Sequence, residues 1–165
     1  QALKIKPSAR RLLVSITGQK TDLIENDCPL QTFSVSTSLK PPSNLQDSEG
    51  TPSGLHRIAE KIGTDAPIGE VFKGRVSIGK RYHQLSAEEQ RPNLITTRIL
   101  WLEGLEPGIN QGDNCDSYQR YIYFHGTNHE DKIGQPSSGG CIQLLNQEMT
   151  ELFDLIEIGD HVFIE

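Results

Sequence analysis

Short runs of alternating apolar and polar residues, separated by turn residues, limit most strongly how this chain can fold. Because successive side chains point to opposite faces of a strand, such runs are typical of half-buried β-strands. The runs cover residues 12–16, 23–25, 31–36, 56–62, 95–102, 118–125 and 161–164. Their number predicts a mainly β fold, either a β-sandwich or a flattened barrel.

One segment near the end of the chain has the period of a helix instead. Met149, Leu152, Phe153 and Ile156 fall at positions i, i+3, i+4 and i+7, so they would form one apolar stripe. Asn146 stands just before the stripe and is a candidate N-cap. The sequence therefore predicts one helix, followed by a closing strand.

Length and charge narrow the class of protein. The chain has 165 residues, which suits a single domain, because one core usually serves roughly 100–200 residues. We expect that domain to cover residues 1–165. The 16 Lys and Arg residues against 22 Asp and Glu residues give a net charge of −6, with no basic block. Nucleic acid is therefore excluded as the expected partner. Nothing in the sequence indicates a cofactor, and we expect a monomer.

The chain shows no apolar run that approaches the roughly 18 residues of a membrane span. Residues 1–10 also lack the apolar stretch of a signal peptide. These observations slightly favour a cytoplasmic protein. The alternative is a periplasmic protein from which a leader has been removed.

Three cysteines, Cys28, Cys115 and Cys141, cannot all pair with one another. Their spacing matches neither a CxxC redox pair nor a zinc ribbon. For Cys28 and Cys115 two alternatives stay open: a thiol that packs like a small apolar side chain, or a mutual disulfide. At least one cysteine is a free thiol, and Cys141 differs from the others in its neighbours.

Residues 121–143 carry the candidate chemistry. A predicted strand ends at His125 and Gly126, and Gly139 and Gly140 directly precede Cys141. Glycine adopts backbone conformations closed to other residues and lets a substrate approach closely. It also leaves the amides near Cys141 free to donate to a developing oxyanion. Cys141 is therefore a candidate nucleophile.

A cysteine nucleophile needs a partner that takes its proton. An unperturbed thiol has a pKa of about 8.5 and is mostly protonated at neutral pH. A neighbouring imidazole can accept that proton and hold the thiolate as an ion pair. His125 is the candidate, and we expect it to lower the pKa of the Cys141 thiol.

Two motifs resemble those of a known family. His125 opens a His-Gly-Thr motif 16 positions before Cys141, and Ser138 opens a Ser-x-Gly-Cys-Ile motif. Together they resemble the YkuD-type L,D-transpeptidases. Residues 51–54, Thr-Pro-Ser-Gly, are similar to the Thr-Pro-x-Gly element of that family. The likeness runs from about residue 12 to residue 164.

This resemblance implies a mainly β fold and a thiol enzyme whose partner is a peptidoglycan-derived muropeptide. Enzymes of the family cleave the bond between the third stem residue, commonly diaminopimelate, and the D-alanine that follows, through a cysteine thioester. Carried over to this chain, Cys141 is the nucleophile and His125 the base. The Gly126 carbonyl orients the imidazole, the amides of Gly140 and Cys141 bind the oxyanion, and Ser138 shapes the loop beside the substrate. A carbapenem is an expected inhibitor.

The chain departs from the family pattern at Gln143, where many members have arginine. Arginine can bind a carboxylate through two parallel hydrogen bonds, whereas glutamine offers only a neutral amide. We therefore expect another cation to share in substrate binding. The candidates are Arg98 and Arg120, with His56 and Lys61 behind them.

Four functions compete at this stage. If water attacks the thioester, the enzyme is an L,D-carboxypeptidase that trims tetrapeptides; if an amine attacks, it is a cross-linking L,D-transpeptidase. A compact acidic chain slightly favours trimming during peptidoglycan recycling. His125, His129 and Cys141 could bind zinc, but the sequence lacks the Glu of an HExxH motif, and we expect no metal. A non-catalytic peptidoglycan-binding module is the remote alternative.

Overall fold

The computed structural model describes residues 4–165 and contains ten strands and one α-helix. The strands are β1 (Arg10–Ser15), β2 (Lys20–Glu25), β3 (Cys28–Ser34), β4 (Gly54–Ile62), β5 (Glu70–Lys73), β6 (Val76–Arg81), β7 (Ile95–Gly104), β8 (Tyr123–Gly126), β9 (Ile142–Leu144) and β10 (His161–Ile164). The helix is α1 (Asn146–Leu155), and two short 3-10 helices cover Tyr82–Gln84 and Glu130–Lys132. The prediction of a mainly β fold with one helix after Cys141 is confirmed.

The strands form one mixed sheet in the order β3-β2-β1-β10-β4-β7-β5-β6, with β8 and β9 branching from β7. The pairs β1·β10 and β8·β9 are parallel, and the other pairs are antiparallel. Two backbone hydrogen bonds of 2.9 Å link Ser36, just beyond β3, to Gln143 in β9. This bridge joins the chain beyond β3 to the β8–β9 branch of the same open sheet.

The main core lies on the side of the sheet that α1 covers. Met149, Leu152 and Phe153 of α1 pack there, together with inward-facing residues of eight strands, such as Leu100 and Phe124. Each side chain of this kind contributes about 1.5–3 kcal/mol when it is fully buried. The predicted apolar stripe of the helix is therefore the surface that holds α1 on β7 and β8.

A smaller apolar cluster lies on the opposite face of β7 and β8. It contains Phe72, Ile99, Trp101 and Tyr123, and Cys141 packs against it. A bulge in β7 between Thr96 and Ile99 lets one strand pair with β5 at its start and with β8 further along. The bulge thus brings the β5–β6 hairpin, which the sequence did not predict, next to the candidate site.

Two local expectations were wrong. The strand predicted for residues 118–125 begins only at Tyr123, because Tyr121 has φ +58 and the preceding residues form turns. Asn146 is the first helical residue, since Leu145 occupies the N-cap position. The Asn146 side chain is turned to the sheet instead of the helix end.

No helix within residues 4–165 is long and apolar enough to cross a membrane.

All three cysteines are free thiols. Cys28 is exposed on β3, whereas Cys115 is buried, so the structure does not contain the disulfide that the sequence left open.

Candidate active site

The parallel pair β8·β9 brings the candidate nucleophile and base onto one face of the sheet. His125 pairs with Gln143, and Phe124 pairs with Ile142, so Cys141 lies beside Tyr123 at the start of β9. Tyr123 and His125 are two residues apart on β8 and share a face. The half-buried thiol of Cys141 packs against the cluster that contains Tyr123. The two chemical groups are therefore neighbours on adjacent strands.

Backbone groups surround the Cys141 sulfur. The thiol donates to the carbonyl of Tyr121 at 3.3 Å and accepts from the amide of Tyr123 at 3.4 Å. The Tyr123 amide points at the place where negative charge would develop on a thiolate. This donor was missed in the sequence, because a backbone amide leaves no signal in residue types.

The His125 imidazole is fixed by the backbone that follows it. Its Nδ1 lies 2.5 Å from the carbonyl of Gly126, so Nδ1 carries a hydrogen and Nε2 holds the lone pair. The ring is almost fully buried. The tautomer set by this contact is the one a general base needs at Nε2.

Gly126 is required by a close approach of Asn146. A Cβ at position 126 would overlap the Asn146 amide oxygen and would come within 2.8 Å of the Thr96 hydroxyl. That oxygen accepts from the hydroxyls of Thr96 and Thr97 at 2.5 and 2.6 Å, and the amide nitrogen donates to the Thr127 carbonyl at 2.8 Å. Asn146 therefore ties β7, β8 and α1 together directly behind the imidazole.

Burial sets the protonation of both reactive groups. It raises the pKa of Cys141 to about 11, against the opposing effects of the Tyr123 amide and the positive charge of Arg120. It also lowers the pKa of His125 to about 4, against the hydrogen bond to Gly126. The free protein thus holds a neutral thiol and a neutral imidazole at pH 7. The pKa of the Cys141 thiol is thus raised and not lowered as expected, because burial outweighs the Tyr123 amide and the Arg120 charge.

The loop before Cys141 is held by three hydrogen bonds. Ser138 Oγ donates to the Cys141 carbonyl at 2.6 Å and accepts from the Gly140 amide at 3.2 Å. Thr51 Oγ1 donates to the Gly140 carbonyl at 3.0 Å. Gly140 has φ +129, a conformation that favours glycine. The Gly140 amide is therefore engaged and does not stand free for an oxyanion as expected, while the Cys141 amide stays a predicted donor.

Arg120 is the one sequence-predicted cation that lies close to Cys141, since its charge acts on the thiol. Its guanidinium donates to the carbonyls of Ser43 and Gly50 at 3.1 and 2.7 Å, and to the Ser48 hydroxyl at 3.2 Å. These bonds pin the loop of residues 43–50 against the site. Most of the hydrogen-bonding capacity of Arg120 is thereby used within the protein.

Arg98 and Lys61, two of the substrate-binding candidates, both lie over Phe153 on the side of the main core. Arg98 donates to the carbonyls of Ala66 and Thr97 at 2.5 and 2.6 Å and lies over Phe153 of α1. Lys61 donates to the Ile156 carbonyl at 2.7 Å. Both cations therefore satisfy backbone groups on the opposite face from the thiol.

His56 and Gln143, the other two substrate-binding candidates, are both buried. His56 is fully buried, and its ring nitrogens contact the Gly54 carbonyl at 3.0 Å and the Ser117 hydroxyl at 2.8 Å. Burial lowers the pKa of His56 to about 4, so the ring carries no charge at pH 7. Gln143 is 1% exposed and accepts from Ser137 Oγ at 3.0 Å. Its amide oxygen thus helps to hold the loop that precedes Cys141.

A cleft of about 300 Å³ opens beside the cysteine loop. Its walls include Arg120 and Tyr121 on one side, Asp47 and Glu49 on another, and Gly139 at the edge next to the thiol loop. Within residues 4–165, no three His, Cys, Asp or Glu side chains come together as a metal site. The cleft is the space through which a second reactant could reach Cys141.

Fold and site together define a mainly β domain that presents a thiol beside a buried imidazole. Residues 9–164 match the L,D-transpeptidase catalytic domain (YkuD) family, and the chain belongs to that family. A Bacillus subtilis (strain 168) protein described as "Putative L,D-transpeptidase YqjB" is 45% identical over 45 residues, which are 27% of this chain and 26% of that protein.

Solved structures of similar proteins share the fold at low sequence identity. An L,D-transpeptidase from Mycobacterium smegmatis is 13% identical, with a TM-score of 0.56, over 95% of this chain and 58% of that one. L,D-transpeptidase 3 from Mycobacterium tuberculosis is 12% identical, with a TM-score of 0.58, over 95% of this chain and 61% of that one. The chain thus spans only part of the length of the relatives it matches.

Proposed function

We propose that this domain is a thiol acyltransferase that acts on peptidoglycan stem tetrapeptides. The observation that carries the proposal is the placement of Cys141 and His125 on one sheet face, with a Tyr123 amide on the sulfur and the Gly126 carbonyl on the ring. Membership of the L,D-transpeptidase family supports a peptide bond between an L-centre and a D-residue as the bond that is cleaved.

Acylation starts from neutral partners in this proposal. As Sγ of Cys141 attacks the carbonyl carbon, Nε2 of His125 takes the thiol proton. The Tyr123 amide stabilises the charge on sulfur while the proton moves. The C–N bond then breaks, the proton passes from His125 to the departing amine of the D-residue, and a thioester remains on Cys141.

The reactant that attacks the thioester, water or an amine, determines which product forms. We propose that this reactant is water. Attack by water, with His125 again as base, releases a tripeptide, which makes the domain an L,D-carboxypeptidase. The supporting observation is that the thiol is only half-buried beside an open cleft, so water reaches the thioester without another protein group.

A cross-linking L,D-transpeptidase is the second candidate. The carboxylates of Asp47 and Glu49 in the cleft wall would attract the ammonium group of an acceptor stem peptide. Loss of its proton would then give the amine that attacks the thioester. The negative charge of the Asp47 and Glu49 carboxylates is the specific observation that favours an amine acceptor over water.

One assay separates the two outcomes. A purified disaccharide tetrapeptide is incubated with the protein, and D-alanine, tripeptide and cross-linked dimer are measured over time. Equal release of D-alanine and tripeptide identifies the carboxypeptidase, whereas dimer that accounts for the released D-alanine identifies the transpeptidase. If no D-alanine leaves and Cys141 resists thiol reagents, the domain binds peptidoglycan without turning it over, and the proposal is wrong.

A further inference from the structure

Arg75 occupies an unusual position for a charged residue. It follows Gly74 at the tip of the β5–β6 hairpin, where Lys73 pairs with Val76 across a two-residue turn. Gly74 and Arg75 have φ +53 and +66, which is the type I′ geometry that Gly and Asn favour. An arginine in this conformation costs backbone free energy. Strain of this kind persists where the surrounding contacts offset it, and it is often found at functional sites.

The Arg75 guanidinium lies on an aromatic platform. Its central carbon is 4.8 Å from the ring centre of Trp101 and 5.0 Å from that of Tyr121, and it donates to the Tyr123 hydroxyl at 3.2 Å. Trp101 is itself stacked on Tyr118, with ring centres 4.0 Å apart. Four aromatic rings thus form a rigid support under one cation.

The same aromatic residues adjoin the candidate nucleophile. The Tyr121 carbonyl accepts the Cys141 thiol hydrogen, and the Tyr123 amide donates to the Cys141 sulfur. The backbone of Tyr123 therefore contacts the thiol, and its hydroxyl contacts Arg75. Tyr123 therefore lies between Arg75 and Cys141 and contacts both.

Arg75 also differs from Arg120 in how many donors it has left. Arg120 makes three hydrogen bonds to the loop of residues 43–50. In the described part of the chain, the Arg75 side chain makes one hydrogen bond, to a neutral hydroxyl, and no salt bridge. A guanidinium carries five N–H donors, so the paired donors that bind a carboxylate are available.

We propose that Arg75, on the platform of Trp101, Tyr121 and Tyr123, binds a carboxylate of the acyl donor and so selects anionic stem peptides. This inference rests on the proposed function of the same site. It explains how Gln143 can be buried and bonded within the protein while a cation still faces the substrate. The carboxylate is either that of the terminal D-residue or that of the third residue's side chain.

Alkylation rates test Arg75 without requiring turnover. Iodoacetate and iodoacetamide react with the Cys141 thiol in the same way but differ in charge. We expect Arg75→Ala to lower the ratio of the iodoacetate rate to the iodoacetamide rate at least fivefold. Lys73→Ala removes the same charge from an exposed position of the same hairpin and should leave the ratio nearly unchanged. Equal ratios in the two variants would overturn the inference.

Steady-state kinetics identify which carboxylate is bound. On the tetrapeptide, Arg75→Ala should lower kcat/KM about tenfold to a hundredfold, mostly through KM, as loss of a charge-assisted hydrogen bond predicts. Arg75→Lys should recover only part, because an ammonium lacks the paired geometry. The measurement is repeated with the terminal carboxylate amidated and with the third-residue carboxylate amidated. The amide that abolishes the difference between wild type and Arg75→Ala marks the group bound.

Two outcomes separate the inference from the proposed function. If Cys141→Ala retains turnover, the proposed function fails whatever Arg75 does. If Cys141→Ala is inactive but neither amidation reduces the effect of Arg75→Ala, the function stands and the assignment of Arg75 is wrong. Circular dichroism of each variant excludes misfolding as the cause of either result.

Discussion

At the scale of single residues, the Cys141 sulfur makes two backbone contacts with one short segment, residues 121–123. The Tyr121 carbonyl and the Tyr123 amide reach the sulfur together because Tyr121 has φ +58 and turns the chain directly before β8. A non-glycine residue in that conformation is uncommon, and such strain is often found at functional sites. The reactive thiol is thus placed by its neighbours' backbone as much as by its own loop.

Removal of the Cys141 thiol should abolish turnover and leave the fold intact. We expect Cys141→Ala and Cys141→Ser to release no measurable D-alanine from a tetrapeptide while their unfolding curves match the wild type. Cys28→Ser, at an exposed site, is the matched control and should keep full activity. Cys115→Ser should stay active with a modest loss of stability, since Cys115 is buried. Turnover by Cys141→Ala would exclude Cys141 as the nucleophile.

A carbapenem should acylate the same thiol. Its strained lactam carbonyl resembles the scissile acyl group, so attack by Cys141 would open the ring and leave the whole inhibitor attached. Intact-mass spectrometry of the wild type should show one added inhibitor mass. Cys141→Ala should show none; an adduct of equal yield in that variant would place the reaction elsewhere.

The Cys141 thiol should lose its proton only at high pH in the free protein. Because burial raises the pKa of Cys141 to about 11, the iodoacetamide rate should keep rising with pH between 7 and 10, without a plateau near neutrality. The pKa of His125 is lowered to about 4, so the acid limb of kcat/KM should fall near pH 4 and not near 6.5. A rate plateau between pH 6 and 8 would instead indicate a thiolate–imidazolium pair.

The cysteine loop depends, at the scale of elements, on a segment far from it in sequence. Thr51, just before β4, is 1% exposed and connects the Gly140 carbonyl with the Ser38 amide, each at 3.0 Å. This contact gives a physical reason for the Thr-Pro-Ser-Gly motif at residues 51–54, which the sequence alone could only match to a family. The motif secures the loop that carries the nucleophile.

Thr51→Val should weaken both the fold and the site. Valine keeps the shape of threonine but leaves the Gly140 carbonyl and the Ser38 amide without a partner, at about 1–3 kcal/mol for each buried group. Urea unfolding should show this loss, and kcat should fall because the Gly140-Cys141 peptide is no longer held. Thr32→Val makes the same chemical change at an exposed position of β3 and should alter neither quantity much. Identical behaviour of the two variants would contradict this role of Thr51.

The sequence predicted the strands and α1 where periodicity was clear, and it marked Cys141, His125 and Gly126 through their motifs. It did not show that Arg98, His56 and Gln143 are buried, because residue type does not tell which face of a strand is buried. Arg98 lies within the β7 bulge, which changes the side-chain alternation that the pattern assumes. Arg75 was missed because the β5–β6 hairpin is short and every residue of β6 is exposed, so no buried face marks it in the sequence.

At the scale of the whole molecule, two buried neutral histidines make the stability of the folded chain depend on pH. His56 joins the start of β4 to Ser117, and His125 lies at the β8–β9 pair, and burial lowers the pKa of each from about 6.5 to about 4. Below pH 6.5 both histidines bind protons in the unfolded chain, whereas in the folded chain they stay neutral until the pH approaches 4. Stability is therefore full above pH 6.5 and is lost as the pH falls towards 4.

The free energy of unfolding should fall by roughly 3 kcal/mol per histidine between pH 6.5 and 4, from the size of each pKa shift. His56→Gln should reduce the slope of that loss by about half, whatever its effect on stability at pH 7. His83→Gln, at an exposed position, is the matched control. The test is urea unfolding at several pH values; an unchanged slope in His56→Gln would contradict the linkage.

The way the β5–β6 hairpin is attached has a consequence for how the site opens. β5 pairs with β7 at only two positions, and every residue of β6 is exposed, whereas β7 is paired along both edges. Amide hydrogens of the hairpin should therefore exchange with solvent much faster than those of β7, through local openings that leave the rest folded. Arg75 is carried by this segment, so each opening would lift the cation away from Cys141 and release whatever it held. A bound anionic peptide should close that route and slow exchange in the hairpin first.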